Sequence, residues 1–104
     1  MNLKELRIVI DEREKKSGIP DLMKGTGINV EIKRLTVGDY IVAPETVVER
    51  KTISDLVSSI FDGRLFDQCN RLKDHFQFPI ILIEGNVDEI DEQLKSIQKK
   101  IKIS

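Results

Sequence analysis

Gly38-Asp39-Tyr40-Ile41-Val42-Ala43-Pro44-Glu45-Thr46-Val47-Val48-Glu49-Arg50-Lys51 is the stretch from which the fold is read. Two runs rich in β-branched residues, 38–42 and 46–51, flank Ala43-Pro44-Glu45, where a proline fits because a turn needs no ladder donor there. This spacing predicts a β-hairpin. On its second strand the period of two sets Val47, Glu49 and Lys51 on one face and Val48 and Arg50 on the other. Asp39 lies opposite Glu49 only if the connection holds three residues or a bulge; a strict two-residue turn at Pro44-Glu45 sets it opposite Arg50. Two carboxylates and a lysine among Ile41, Val42, Val47 and Val48 are costly unless a cation or phosphate compensates them, and that cost points to chemistry.

Upstream of the hairpin, Leu6 to Asp11 is a short β-branched run ending in charge, read as a buried strand with a functional or capping group at its end. Ser17 to Gly25 is a short helix, with Pro20 in its first turn and Gly25 as its C-terminal cap. Asn29 to Leu35 alternates apolar and charged residues and is expected to be an outer antiparallel strand with a wet face.

Downstream, Thr52-Ile53-Ser54-Asp55 has the form of a capping box opening a helix to about Phe61, so capping explains Asp55 as readily as function does. After a break at Asp62-Gly63, Leu65, Cys69, Leu72 and Phe76 fall at helical spacing, while Arg64, Gln68 and Arg71 form a polar stripe. The plain reading of that stripe is a solvated face; the alternative is contact with DNA or an active site. Pro79 to Gly85 is nearly all apolar, as a central strand covered on both faces is. Asp88 to Ile101 returns to helical spacing through Ile90, Leu94 and Ile97, and Lys99, Lys100 and Lys102 suit a helix C-terminus. With the first four strands read as a meander, the order predicts an α/β fold, a mixed central β-sheet flanked by α-helices.

The 104 residues suffice for a single domain spanning 1–104. No apolar run reaches membrane-spanning length and no signal-peptide core stands at the start, so no membrane partner is expected. Cys69 is the sole cysteine, which excludes an intrachain disulfide and a thiolate zinc cluster and fits an intracellular setting. A net charge of −1 excludes a polycationic nucleic-acid coat, so any DNA affinity must come from a local patch.

Phosphodiester hydrolysis calls for a hard cation with oxygen ligands, and Asp39 and Glu49 can supply these. Lys51, on the face of Glu49, can orient the attacking water or steady developing charge, and Asp11 and Glu14 can add further carboxylates. Gly38-Asp39, then Glu49-Arg50-Lys51, then Asp55 resembles the GD(x)nERKx3D signature of the XPF/Hef-type structure-specific DNA endonucleases. Asp39 with Glu49-x-Lys51 is similar to the wider restriction-endonuclease-like PD-(D/E)xK pattern, Asp11-Glu12-Arg13-Glu14 resembles the family's DxRE segment, and Gln68 with Arg71-Leu72 its QxxRL helix. The resemblance runs from about Ile8 to Gly85.

It implies a restriction-endonuclease-like core with Asp39, Glu49 and Asp11 as metal ligands for Mg2+ or Mn2+. Lys51 is then the catalytic lysine, and Arg50 belongs to the catalytic group. Glu14, Asp55, Arg64, Gln68 and Arg71 support the site or touch DNA. The implied substrate is flap, fork or nicked-junction DNA, cut near the duplex boundary. The implied assembly is a homodimer or heterodimer, with a helix-hairpin-helix domain elsewhere, in the cytoplasm of an archaeon or the nucleus of a eukaryote. The family pattern continues with a further strand beyond Ser104, so the chain is read as a C-terminally truncated nuclease domain. The alternative is a catalytically silent scaffold of the same fold that dimerises with an active partner. A junction resolvase sharing only the PD-(D/E)xK core fits less well, because the ERKx3D and QxxRL matches are extra to that core.

Overall fold

The computed structural model describes residues 2–101, so Lys102 and the side chain of Lys100 lie outside the described residues. Strand β1 (Arg7–Asp11) runs into a 3-10 turn over Glu12–Ser17 and helix α1 (Ile19–Gly25), and the chain returns as β2 (Asn29–Lys33). The hairpin follows as β3 (Tyr40–Ala43) and β4 (Thr46–Thr52), then α2 (Ile53–Phe61), α3 (Arg64–His75), β5 (Phe78–Glu84) and α4 (Asp88–Ile101). The five strands form one mixed sheet in the order β2-β1-β3-β4-β5. Pro20 sits in the first turn of α1 as expected, and Thr26, rather than Gly25, is the cap.

Two expectations are corrected. The first four strands are not a meander: β2 pairs β1 in parallel, with Arg7 beside Asn29 and Asp11 beside Lys33. The connection between them contains a helix, and a helical crossover returns the chain in the same direction, where a tight turn would reverse it. The outer position of β2 was legible from its wet face, but its direction was open to misreading. β5 is likewise not covered on both faces among the described residues. It pairs β4 in parallel at the edge of the sheet, and Phe78, Ile80 and Leu82 on one side are 46–56% exposed.

The hairpin settles the register question. Ala43 faces Thr46 across a two-residue turn, but Ile41 faces Val47 and Tyr40 faces Val48, because the pairing shifts by one between Ile41 and Ala43. That bulge at Val42 carries Asp39 past Arg50; extending the pairing one residue sets it against Glu49. The regular ladder gives way there, with the Asp39 N–H on the Val48 carbonyl at 3.0 Å.

Ile10, Tyr40, Val47, Ile53, Val57 and Leu72 are the buried apolar side chains. Helices α2 and α3 lie against β4 and β5, α1 against β2, and α4 against α2. The Thr52 side chain accepts the Asp55 N–H at 3.1 Å, the N-cap predicted for α2, which turns the chain out of β4 directly beside the hairpin face that bears Glu49 and Lys51.

Candidate active site

The ends of β1, β3 and β4 and the polar side of α3 enclose a cleft of about 440 Å³. Arg13, Glu14, Asp39, Glu49, Arg50, Asp55, Gln68 and Arg71 line it, together with the segment Thr36-Val37-Gly38. That segment needs its glycine. Gly38 has φ +80°, and a Cβ there would come within 2.2 Å of Val47 Cγ2, a buried strand side chain with little room to give. The backbone can therefore press onto the core just before Asp39 and hold it at the cleft floor.

Asp39 and Glu49 are both half-buried, and their surroundings undersupply them with positive charge. Burial raises the Asp39 carboxyl above its usual range; the Arg50 N–H opposes this from 2.8 Å, while the charges of Glu14 and Asp11 add to it and Arg13 offsets part. Burial likewise raises Glu49, with the Asp39 charge adding and Lys51 and Arg71 opposing. Two half-buried carboxylates that resist ionisation, chiefly through burial and then through their mutual charge, are a fitting donor set for a cation. Among the described residues no cluster of three or more carboxylate, histidine or cysteine groups surrounds them. Magnesium accommodates that, since it keeps several waters and takes one or two protein carboxylates plus substrate phosphate.

Lys51 is only 8% exposed, and its Nζ donates to Gln68 Oε1 at 2.8 Å. The strand alternation thus puts Lys51 with Glu49, and α3 supplies the acceptor that fixes its head group. On the other face, the Arg50 guanidinium is held at 3.2 Å by both Glu14 oxygens and at 2.9 Å by Glu84. Its backbone N–H still reaches Asp39, so Arg50 serves the cleft through its main chain while its side chain fastens β4 to the segment after β1 and to the end of β5. Asp55 lines the cleft from the first turn of α2.

Asp11 has a different environment. It is 0% exposed, and its carboxylate accepts the Arg13 N–H (3.0 Å), Arg13 Nε (2.6 Å), Arg13 Nη2 (3.2 Å) and the Leu35 N–H (2.8 Å). Chiefly the Arg13 side chain, assisted by the two backbone donors and opposed by burial, lowers its pKa from 3.8 to about 2. Arg64 also lies apart: it pairs with Asp62 at the exposed start of α3 and is absent from the cleft lining, while Gln68 and Arg71 of the same stripe are present.

Two participants had no role assigned from sequence. Arg13 stands in the DxRE-like segment without a role of its own, because its second partner, the Leu35 carbonyl at 3.1 Å, is 22 residues away. For Glu84 the available signal is a charge at the end of an apolar run, at the C-terminal end of a parallel strand beside β4. Tyr40 is a buried neighbour, its hydroxyl without a hydrogen-bond partner among the described residues.

A family model described as the ERCC4 domain matches residues 10–103. A 3'-flap repair endonuclease Xpf from Saccharolobus solfataricus is 51% identical over 85 residues, 82% of this chain and 36% of that protein. A DNA repair endonuclease XPF from Mus musculus is 47% identical over 77 residues, 74% of this chain and 8% of that protein. The solved structure of XPF from Aeropyrum pernix in complex with DNA aligns with a TM-score of 0.75 at 35% identity, covering 95% of this chain and 52% of that one. Its restriction-endonuclease-like nuclease core is the fold described above. The chain thus spans about a third of the archaeal flap endonuclease and half of the solved protein.

Proposed function

The chain belongs to the ERCC4-domain family, and from that membership and the Asp39–Glu49 pair we propose that it is a metal-dependent DNA endonuclease domain acting on branched DNA. The observation that carries this reading is the pairing of two half-buried carboxylates, both raised in pKa and both at one cleft, with a lysine anchored beside them. A bound Mg2+ or Mn2+ supplies charge for the scissile phosphoryl oxygen and lowers the pKa of the attacking water. Asp39 and Glu49 are the residues that would hold that cation, by the carboxylate oxygens that carry no hydrogen bond.

Lys51, kept in place by Gln68, meets the charge that develops on the phosphate or steers the water; its burial strengthens either effect by excluding solvent. Glu14 and Glu84 hold Arg50 so that its N–H keeps one Asp39 oxygen still, and the other would be free to meet a cation. Asp11 enters this scheme as the brace of the cleft rim rather than through an oxygen offered to metal, because four donors already occupy it. Flap DNA as substrate is taken from the archaeal relative named a 3'-flap repair endonuclease, and fork DNA and cutting near the duplex boundary from the resemblance of the motifs.

The test is cleavage of end-labelled fork and flap DNA by the chain at high concentration with Mn2+ or Mg2+. Cutting near the junction, abolished by EDTA and by Asp39→Asn, is the expected result. Cutting that survives Asp39→Asn would sink the site assignment. An intact, DNA-bound chain that cuts nothing would mean the silent scaffold.

A further inference from the structure

Arg13 has no assigned part in the reaction, yet it occupies the cleft in an unusual way. Three of its five guanidinium N–H groups are engaged: Nε on Asp11, and Nη2 on Asp11 and on the Leu35 carbonyl. The two on Nη1 have no acceptor among the described residues. Its partner is as fixed as a side chain can be, a fully buried carboxylate pinned by two backbone donors as well. The arginine itself is 58% exposed and lines the cleft. Two free N–H groups on one terminal nitrogen of a braced guanidinium add little to stability, since an exposed pair contributes little, and are well placed to donate to an oxyanion such as a phosphate.

Its position supports the same conclusion. Arg13 and Arg71 both line the cleft that holds the carboxylate pair, one from the segment after β1 and the other from α3. The charge of Arg13 lowers the Asp39 carboxyl and that of Arg71 the Glu49 carboxyl, so each arginine lies near one member of the pair. A DNA backbone lying over the pair would come within reach of both. Arg71 comes from a helix and is exposed without a tether; Arg13 is preoriented, so less side-chain entropy is lost when it binds.

We propose that Arg13, braced by Asp11 and the Leu35 carbonyl, binds a backbone phosphate of the DNA at the β1 side of the cleft. This rests on the endonuclease reading above and assigns the Asp11–Arg13 pair to substrate holding.

The experiment is fluorescence anisotropy of a labelled DNA fork with the Asp39→Asn chain, which prevents cutting, over a series of salt concentrations in Mg2+. Each phosphate neutralised contributes about 0.9 to the slope of log affinity against log salt for duplex, and about 0.7 for a single strand. Adding Arg13→Gln is expected to weaken binding severalfold and to make the slope shallower by roughly that one-contact amount. Because Arg13→Gln leaves a buried carboxylate unpaired, the double replacement Asp11→Asn with Arg13→Gln is measured beside it; it removes the charge and its brace together and is expected to give the same slope change. Arg71→Gln is the positive control. A slope unchanged in both Arg13 variants while Arg71→Gln flattens it would overturn the proposal and leave the endonuclease reading standing. Weaker binding at an unchanged slope would do the same, since it marks a purely structural role. A parent chain that binds no DNA fork at any salt would sink both readings together.

Discussion

Asp11 and Asp39 end or precede neighbouring strands of one sheet, joined by the Asp11 N–H donating to the Asp39 carbonyl at 2.8 Å, and yet they are opposites. Asp11 accepts four hydrogen bonds and is held near a pKa of 2; Asp39 accepts one, from Arg50, and is pushed upward by burial and by its acidic neighbours. The same side chain a few ångströms along a sheet is a fastener in one case and a carboxylate with an open oxygen in the other. Residue type does not separate them. What does is whether the surrounding backbone and cations fill the oxygens, and an active site is the place where they are left short.

That contrast can be broken most sharply at Asp39. Asp39→Asn is expected to lower the single-turnover cleavage rate roughly a thousandfold or more, about 4 kcal/mol in barrier, while the chain unfolds in urea at the same or a higher concentration. A loss of stability comparable to the loss of rate would show that Asp39 is a fastener too. Asp11→Ala is expected to do the reverse. Removing the anchor of Arg13 and of the Leu35 N–H costs about 3 kcal/mol of folding free energy, read from urea unfolding, because it leaves donors unmet in a fully buried position. Gly38→Ala is next, at about 2 kcal/mol, since it combines a positive φ with a clash on Val47; thermal melts of the variant check it.

The smallest effect is the response to acid. The folded pKa of Asp11 lies below its unfolded value, so its contribution is complete above pH 4 and is lost as pH falls from 3.8 toward 2. The loss is on the order of 1–2 kcal/mol, reduced from the full shift because Arg13 faces water. Asp39 and Glu49 carry the opposite sign: their folded pKa values are raised, so acid relieves their repulsion while it removes the two oxygens a cation needs. Activity in Mg2+ should therefore fall at a higher pH than stability does. A pH–rate profile whose acid limb coincides with acid unfolding would remove the distinction between the two aspartates.

Much of this was legible locally. The hairpin, the side-chain alternation of Glu49, Arg50 and Lys51, and the Thr52 cap all follow from residues within a few positions of one another. Even the departure from a strict two-residue turn could be required in advance, because the Asp39–Glu49 pairing needs either a three-residue connection or a bulge. The direction of β2 was open to misreading: its alternation is the same in either sense, and what decides is the helix between it and β1, which the sequence does show at 17–25. The exposure of β5 failed for a related reason, since an apolar run states what a strand can bury and not what lies against it. The Asp11–Arg13–Leu35 contact escaped because its acceptor arrives through a fold-level turn, and Arg64 parted from Gln68 and Arg71 because a nearby carboxylate, Asp62, claimed it first.

The bulge at Val42 also takes up the one residue by which the two arms of the hairpin differ in length. Deleting Val42 would leave Ala43 facing Thr46 and Ile41 facing Val47, so Asp39 would still fall opposite Glu49, on an unbroken ladder. Deleting Val48 instead would bring Glu49 opposite Tyr40 and Arg50 opposite Asp39, and leave a sheet of the same strands with no acidic pair although every signature letter is still present.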